Sequence, residues 1–503
     1  MRRAAILLLM IVMFAVLPVS QSPVSASPAE SEARILRAIA YVKGQYYVVG
    51  NFSGFLRSSG GDENPRSYAE DDALIVLALS SYQETHFTTV FNGFLKKAVE
   101  SLLHMQGSRG DFGQYYDFQN STLGQSGRLY YWNAFAIMGM GYAAYVTTEQ
   151  DNTETSYWMT VVNRVRLCVD AWLPRSQIKS GAVVFAFPDG IDRADVGYNG
   201  ALLMGLMHVA AFEYYWGSRS VAETYAQYSK RIADWLLGLQ EGSPSSWGFG
   251  GFYGNESRSL EPTLENAFAM FGINGYYKGA GLLLPNQHIS LEGLRTVMQD
   301  WAQGYVEKTM DAWGGVAYGR NSSGLISHPK LTQATSATLA AMVDVWIDLG
   351  PPVFWNDSSR LYGWIIGGNE QSVDMQTDAG GFYAGLGSQG ILPNTDLTTT
   401  AFALYSFIRA QYVSIPGTYP VQTTKSRTAS ITTTVGQATS SEAQSTITSP
   451  VKQTFNAGSI MFAIALLIAL GILGGFFAFR SLGRKSKGRA ARSRLRRRSA
   501  MAQ

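Results

Sequence analysis

Carboxylate side chains cluster near the starts of apolar segments in this sequence, and paired carboxylates are what glycoside hydrolysis requires. One carboxyl group protonates the leaving oxygen while the other acts as base or nucleophile. The two lie about 5 Å apart for retention and roughly 6.5 to 9.5 Å apart for inversion. The fold must therefore bring residues from different segments together. The clusters are Glu70, Asp71 and Asp72; Asp189, Asp192 and Asp195; Glu261 and Glu265; and Asp374 and Asp378.

We predict that Asp72 and Glu265 face each other across one site, with Asp192 as a third catalytic candidate. Aromatic faces beside carboxylates suit sugar rings. In a chain with 13% aromatic residues, however, many rings belong to the core. The residues predicted to stack on substrate are Tyr68, Trp132, Tyr198, Trp247 and Tyr253.

The sequence gives little support for metal or nucleotide chemistry. The five histidines include no close pair, and the single Cys168 has no partner at ligand spacing, so we expect no zinc site and a buried, inert thiol. The run from Asp189 to Asp195 lacks the spacing and glycine of an EF-hand, which favours a solvated loop. Glycine loops for phosphates and a nucleophile elbow are also missing, so we predict no metal and no cofactor.

Two kinds of helical segment alternate along the chain. Stretches such as 134–140 and 201–207 are apolar nearly all round, which indicates burial on every side. Stretches such as 220–240 and 290–308 are amphipathic and need one face in water. We therefore predict an all-α (α/α)6 toroid of six outer-plus-inner hairpins over residues 27–411. The apolar segments begin near Tyr68, Arg128, Ala194, Pro262, Gln333 and Leu397, roughly 60 to 70 residues apart.

A glycine-aromatic element follows each predicted outer helix, as at 110–113, 247–252 and 380–383. Glycine permits a tight turn while the aromatic ring packs across the end of the hairpin. This alternation of outer helix, glycine-aromatic loop and inner helix resembles the six-hairpin glycosidase-like (α/α)6 toroid superfamily, which also includes sugar epimerase-type barrels. The resemblance implies a pocket at the end of the barrel where the inner helices begin.

Aligning the inner helices places six polar residues at one equivalent position. Helix N-termini offer free backbone donors and a positive dipole end, which suits a binding site. The same residue types are favoured simply because they cap helices, and for Ser336 and Thr400 we prefer that interpretation. The aligned residues are Asp72, Asn133, Asn199, Asn266, Ser336 and Thr400.

Two other functions remain to be weighed against hydrolysis. Isoprenoid enzymes also use helical toroids, but the sequence 69–72 is not the Asp-x-Asp-Asp acid of terpene cyclases, and prenyltransferase zinc ligands are missing. A non-catalytic surface protein that binds glycan or a cell-envelope partner remains the alternative, because a pocket lacking one carboxylate would look nearly the same in sequence.

The two ends of the chain predict export and membrane anchoring. Arg2 and Arg3, an apolar run and the small residues 24–26 form a predicted signal peptide over residues 1–26. Residues 457–479 carry no charge and match the thickness of a bilayer as a helix. The tail 480–503 holds ten basic residues and no acidic one, so the positive-inside rule places it in the cytosol. We interpret it as a stop-transfer signal that meets anionic lipid rather than nucleic acid.

Everything before residue 457 is therefore predicted to lie outside the cell, as a single-pass type I membrane protein. Removing the tail, Arg2 and Arg3 from the formal charge of +3 leaves about −9, so the exported part is acidic. Residues 412–456 are rich in Thr, Ser, Gln and Pro and predict a disordered stalk suited to O-glycosylation. Five N-glycosylation motifs lie near predicted loops, at Asn51, Asn120, Asn255, Asn321 and Asn356.

Overall fold

The computed structural model describes residues 28–57, 65–287, 290–349 and 355–412. The chain divides into two units, 1–425 and 426–503, and every described residue belongs to the first. The predicted signal peptide, transmembrane helix and basic tail lie outside the described residues. Of the predicted stalk only Tyr412 is described, where it ends a helix. Among the described helices, none combines the length and apolarity needed to cross a bilayer.

Within the described residues, six inner helices line the barrel. Most of their residues are buried, so these helices are covered on every side. Each contacts the next along the chain, and the last contacts the first, so the ring is closed. The predicted inner ring is therefore confirmed. The inner helices are α2 (Ala69–His86), α4 (Trp132–Gln150), α6 (Val196–Trp216), α8 (Thr263–Leu283), α10 (Thr332–Leu349) and α12 (Leu397–Tyr412).

Six outer helices surround this ring, and each packs on the inner helix that precedes it, while the first packs on α12. These outer helices are amphipathic. The fourth of them, Arg219–Leu239, buries Tyr225, Ile232 and Leu236 on one face only. The fifth continues through a π-helical turn, Trp301–Val306, into Glu307–Thr309. The outer helices are α1 (Pro28–Gly44), α3 (Asn92–His104), α5 (Thr155–Ser176), α7 (Arg219–Leu239), α9 (Leu291–Asp300) and α11 (Trp355–Ile365).

Aromatic side chains fill the middle of the ring. The ring centroids of Phe135 and Phe268 lie 5.1 Å apart, and those of Phe268 and Phe402 lie 5.4 Å apart, in edge-to-face geometry. Below them Phe271 packs on Tyr405 at 5.8 Å. We call Phe135, Phe268, Phe271 and Phe402 the aromatic plug. It separates the two ends of the barrel.

The segments that lead from outer to inner helices form short antiparallel strands, which the all-α expectation did not include. Their backbone groups need hydrogen-bond partners, and neighbouring segments provide them. The sheets are β1-β2, β3-β4-β5, β6-β7, β8-β9-β10 and β11-β12-β13. The strands are β1 (Tyr46–Val49), β2 (Phe52–Phe55), β3 (Arg66–Tyr68), β4 (Tyr115–Asp117), β5 (Thr122–Leu123), β6 (Val184–Phe185), β7 (Arg193–Ala194), β8 (Leu260–Pro262), β9 (Gly319–Asn321), β10 (Gly324–Ile326), β11 (Lys330–Leu331), β12 (Tyr383–Gly387) and β13 (Gly390–Thr395).

A repeated contact, which we call the Gln–Gly clamp, joins neighbouring hairpins. The Nε2 of Gln177 donates to the carbonyl oxygen of Gly181 at 2.9 Å and to that of Tyr228, on the next outer helix, at 3.2 Å. Gly181 has a φ of +103° and lies against the backbone of Arg231, where a Cβ atom would clash. Gln106, Gln240 and Gln376 make the same pair of bonds in their hairpins.

The aligned polar residues of the inner helices hold the other side of each loop. The Oδ1 atoms of Asn133, Asn199 and Asn266 accept from the backbone N–H of Phe112, Val183 and Phe252 at 2.7 to 2.8 Å. Thr400 accepts from Phe382 through its hydroxyl group. In the fifth hairpin the acceptor is Thr335, one residue before the predicted Ser336. This position serves loop structure rather than ligand binding.

The close approach at Gly181 predicts a large cost for any side chain there. Gly181→Ala should lower the free energy of unfolding by about 3 kcal/mol or more, because a Cβ adds a backbone clash to the strain of positive φ. Gly190→Ala is the matched control: its φ is +80° but its Cβ would meet nothing within 4 Å, so only roughly 1 to 2 kcal/mol is expected. Urea unfolding measures both, and equal losses would contradict the clamp.

Candidate active site at the barrel mouth

The barrel mouth is the end where the inner helices begin and the strands lie. The side chains of the aligned inner-helix residues, such as Asn133, point to the loop backbone. The residues one and two positions before them therefore lie at the rim of the mouth. On α2 these are Glu70 and Asp71, and on α8 Glu265 occupies the position before Asn266. α2 and α8 are opposite members of the ring. The mouth therefore carries carboxyl groups on opposite sides.

Glu70 lines an open cavity of about 390 Å³, the mouth cavity. The structure shows no hydrogen bond to the Glu70 carboxyl group from any residue that it describes. With one exception the lining side chains are polar, as a ligand rich in hydroxyl groups requires. The lining residues are Arg57, Glu70, Gln333, Ala384, Asn394, Asp396 and Thr398.

Glu265 lies against the start of α6. A Cβ atom on Gly197 would stand 2.9 to 3.0 Å from Glu265, so only glycine leaves the room that this carboxylic side chain occupies. Next to Gly197, Asp195 caps α6 by accepting from the backbone N–H groups of Gly197 and Tyr198 at 2.9 and 3.3 Å. A second carboxyl group thus stands beside Glu265.

An aromatic wall connects the two sides of the mouth. The rings of Tyr131 and Tyr198 stack with centroids 4.6 Å apart, and Phe187 packs on Tyr131 at 5.4 Å. Phe135 of the plug contacts Tyr198 from below at 5.8 Å. Burial and then Glu70 raise the pKa of both tyrosines, and Asp195 and Glu265 also raise that of Tyr198. The charges of carboxyl groups on both sides of the mouth therefore act on Tyr198.

The mouth carboxyl groups hold their protons unusually tightly. Burial, and then the charge of Asp71, raises the pKa of Glu70 to about 7. Burial, and then Asp195, raises the pKa of Glu265 to about 7. Burial also raises the pKa of Asp195 to about 6. Near neutral pH each glutamate can act as an acid or, once ionised, as a base.

Arg57 is the basic residue that lines this cavity. It forms a bidentate ion pair with the fully buried Asp71, at 2.8 and 2.9 Å, and its guanidinium group lies over the ring of Tyr68 at 4.2 Å. Thr398 also donates to Asp71. These contacts fix the Arg57 side chain at the rim and join the starts of α2 and α12.

Asp72, a predicted catalytic residue, is buried and is not among the residues that line the mouth cavity. Its side chain is 0% exposed and accepts from the hydroxyl groups of Ser67 and Ser101 at 2.8 and 2.7 Å. Ser67 in turn accepts from the N–H of Phe55 at 2.8 Å. Through Ser67, Asp72 thus does for the first hairpin what asparagine does in the next three. Its predicted catalytic role is untested, and the geometry gives it a structural role.

The remaining predicted residues are distributed around the barrel. Asp192 is exposed and pairs with Arg128. Trp132 is buried, stacks on Tyr130 and donates through Nε1 to the carbonyl of Phe112 at 2.7 Å.

Three predicted aromatic residues lie near loops. Tyr68 packs on Tyr115 at 5.6 Å, and Trp247 packs on the buried Tyr253 at 5.6 Å. Tyr253 donates to Glu241 at 3.0 Å. Of the eight predicted residues, the structure brings Glu265 and Tyr198 together.

Sequence reasoning gave no catalytic or binding role to Glu70, Tyr131, Arg57 or Asp396. The signal that finds the first two was present: they precede the aligned Asp72 and Asn133 by two positions. Arg57 and Asp396 carry no comparable pattern. As for metals, none of the described residues form a group of three or more His, Cys, Asp or Glu side chains able to hold an ion.

Comparison with solved structures identifies the fold. A cellobiose 2-epimerase from Bacillus thermoamylovorans is similar over 76% of this chain and 98% of its own, with a TM-score of 0.58 and 10% identity. A D-mannose isomerase is similar over 77% and 98%, with a TM-score of 0.56 and 13% identity. A family 76 glycoside hydrolase from a bovine Bacteroides thetaiotaomicron strain matches over 76% and 78%, with a TM-score of 0.52 and 10% identity.

The chain thus has the six-hairpin glycosidase-like (α/α)6 toroid fold, and the predicted resemblance is confirmed. At these identities the similarity establishes the fold and leaves the reaction to be argued from the site. No protein-family model matches the sequence, and a search of curated proteins gives no significant match.

The burial of Asp72 predicts a pH-dependent stability. Burial raises its pKa to about 8, so between about pH 4 and 8 the native state binds more protons than the unfolded state, and stability falls as pH rises. Asp72→Asn should remove this slope and gain at least about 1 kcal/mol over wild type between about pH 5 and 7. Asn133→Asp, the converse change, should add such a slope. Urea unfolding at both pH values decides, and parallel pH profiles would contradict the assignment.

Proposed function

We propose that this chain is a carbohydrate-processing enzyme, a glycoside hydrolase in which Glu70 and Glu265 form the catalytic carboxyl pair. The observation that carries the proposal is the arrangement of the mouth. Two glutamates with raised pKa come from opposite inner helices, and the Tyr131–Tyr198 wall spans between them. A polar cavity opens beside Glu70.

The chemistry needs one protonated and one ionised carboxyl group. The protonated group gives its proton to the glycosidic oxygen as the bond from C1 to that oxygen breaks. The other either takes a proton from the attacking water or attacks C1 itself, after which water releases the sugar. With pKa values of about 7 on both glutamates, molecules with one protonated and one ionised carboxyl group are well populated near neutral pH.

The tyrosine wall supports a sugar as the ligand. Tyr131 and Tyr198 present partly exposed rings at the rim, and the flat face of a pyranose packs well on such rings. The mouth cavity is lined by Asn394, Gln333 and Asp396, whose side chains offer hydrogen bonds to the hydroxyl groups of a sugar. Arg57 adds a fixed positive charge at the rim.

A sugar epimerase is the second candidate, and the pKa of about 7 on each of the two glutamates favours it. Epimerisation moves a proton off a carbon atom on one face and returns one on the other, which calls for two groups that both accept and donate near neutral pH. A non-catalytic glycan-binding protein would use the same wall without turnover.

We propose further that the enzyme acts outside the cell, anchored in the membrane by residues 457–479 with its tail 480–503 in the cytosol. The sequence pattern of the chain ends supports this. Protease added to intact expressing cells should degrade the toroid and spare an epitope fused after Gln503. Protection of the toroid, or loss of the epitope before the cells are lysed, would contradict this topology.

A screen of glycans with the full-length protein tests the catalytic pair. Glu70→Gln and Glu265→Gln should each lower the rate of reducing-end release by about 10²- to 10⁴-fold, because each removes a proton donor or acceptor. Wild-type activity should fall as pH rises above about 7, where the acid loses its proton. Asp192→Asn, at the exposed ion pair with Arg128, is the control and should keep most activity.

The product separates the candidate functions. Release of reducing ends supports the hydrolase, and an epimer formed without chain cleavage supports the second candidate. Binding without any product supports the non-catalytic function. Full activity in both glutamine variants would remove Glu70 and Glu265 from the mechanism, and loss of activity in Asp192→Asn would favour the assignment from sequence.

A further inference from the structure

The opposite end of the barrel, where the inner helices end, holds a second cavity of about 100 Å³. The aromatic plug separates it from the mouth, since Phe271 lines it from above. We call it the floor cavity. Its volume equals the space that about three water molecules occupy in the liquid. Its polar lining includes Glu84, Tyr142, His208, Asn274, Asp344 and Arg409.

The charge of Arg409 is already engaged by two carboxylates. Its Nη2 lies 2.6 Å from Asp344 Oδ1 and its Nη1 lies 2.7 Å from Glu84 Oε2. Tyr405 donates to Asp344 at 3.2 Å, and Tyr142 donates to Glu84. The charge of the guanidinium group is therefore balanced by these two carboxylates and does not make the cavity a site for an anion. Glu84 keeps 38% of its side chain exposed and can accept further bonds.

His208 presents an acceptor to this cavity. Its Nδ1 lies 2.8 Å from the carbonyl oxygen of Met204, so Nδ1 must carry the proton and Nε2 is left with a lone pair. Burial lowers the pKa of His208 to about 4, so the ring is neutral at physiological pH. The rings of Tyr142 and Tyr145 pack on it with centroids at 5.0 and 5.8 Å.

Asn274 presents a second acceptor. Its side chain is 4% exposed, it lines the cavity, and its Oδ1 has no hydrogen-bond partner among the described residues. A buried amide oxygen without a donor costs roughly 1 to 3 kcal/mol. In the cavity that Asn274 lines, the missing donor can come from a ligand.

The balance of charge at the floor is negative. Two cations line the cavity, Arg409 and Lys278, and three carboxylates pair with them: Glu84 and Asp344 with Arg409, and Asp348, just outside the lining, with Lys278 at 3.0 Å. Acceptors, negative charge and tyrosine faces together describe a site for a small cation that donates hydrogen bonds.

We propose that the floor cavity binds a small primary ammonium group, whose N–H bonds point to His208 Nε2, Asn274 Oδ1 and the Glu84 carboxylate. Three N–H donors match these three acceptors. Tyr142 and Tyr145 contribute aromatic faces that attract an ammonium ion. The volume admits a molecule of about the size of ethanolamine. This site is independent of the mouth and of the reaction there.

Isothermal titration calorimetry of the full-length protein with ethanolamine hydrochloride at about pH 7 tests the site. Ethanolamine should bind, while ethylene glycol, which replaces the ammonium group by a hydroxyl group, should bind at least about tenfold more weakly. Glu70→Gln, at the other end of the barrel, is the control and should bind ethanolamine as the wild type does. No heat of binding with ethanolamine, or equal affinity for ethylene glycol, would overturn the proposal.

Two variants of one residue locate the ligand. Asn274→Leu removes the unpaired acceptor at similar volume and should weaken ethanolamine binding at least about tenfold. Asn274→Asp adds a charge at the same place and should strengthen it, which keeps the test decisive if the leucine variant unfolds. Unchanged affinity in Asn274→Asp, with ethanolamine still bound, would place the ligand elsewhere and overturn the assignment.

Discussion

The side-chain amides of Gln106, Gln177, Gln240 and Gln376 each bind two carbonyl groups, one in their own loop and one on the next outer helix. The clamp closes only because the loop residue beside it is a glycine with positive φ that lies directly on the neighbouring backbone. On the inner side, an asparagine or threonine of the inner helix accepts a hydrogen bond from the backbone N–H of the loop residue two positions after the glycine. Each of these four loops is thereby tied to the inner ring and to the next hairpin, so this part of the mouth rests on backbone geometry that few substitutions preserve.

The barrel carries carboxyl groups at both of its ends and still keeps an apolar interior. The plug and the inner helices supply a continuous apolar middle, and the buried charges lie at the ends, where partners are within reach. At the mouth Arg57 pairs with Asp71, and at the floor Arg409 pairs with Glu84 and Asp344. Glu70 and Glu265 lack such cations as hydrogen-bonded partners among the described residues, and this is why burial raises their pKa. Proton affinity at the mouth thus follows from where the charges are left unpaired.

The hairpin pattern was predictable because it depends on periodicity: helices apolar on all sides alternate with amphipathic ones, and the structure has both rings. The strands were not predictable, since they are as short as Thr122–Leu123 and some pair between hairpins, as Arg66 of β3 does with Asp117 of β4. Some residues that the structure places at the rim differ from the predicted ones by one or two positions. Tyr131 is at the rim whereas the predicted Trp132 is buried, because one residue turns a helix by about 100°. Asp72 and Glu70 differ in the same way, and rotation about the helix axis comes from packing that local sequence does not contain.

The central claim is that sugar binds at the mouth between Glu70 and Glu265. A crystal structure of the Glu70→Gln variant with a bound oligosaccharide tests it most directly, because the variant should retain substrate. We expect a sugar ring on the Tyr131–Tyr198 wall, with a glycosidic oxygen within hydrogen-bond distance of the amide at position 70 and C1 facing Glu265. A sugar bound away from the mouth, or one that leaves Glu265 out of reach of the glycosidic bond, would contradict the account.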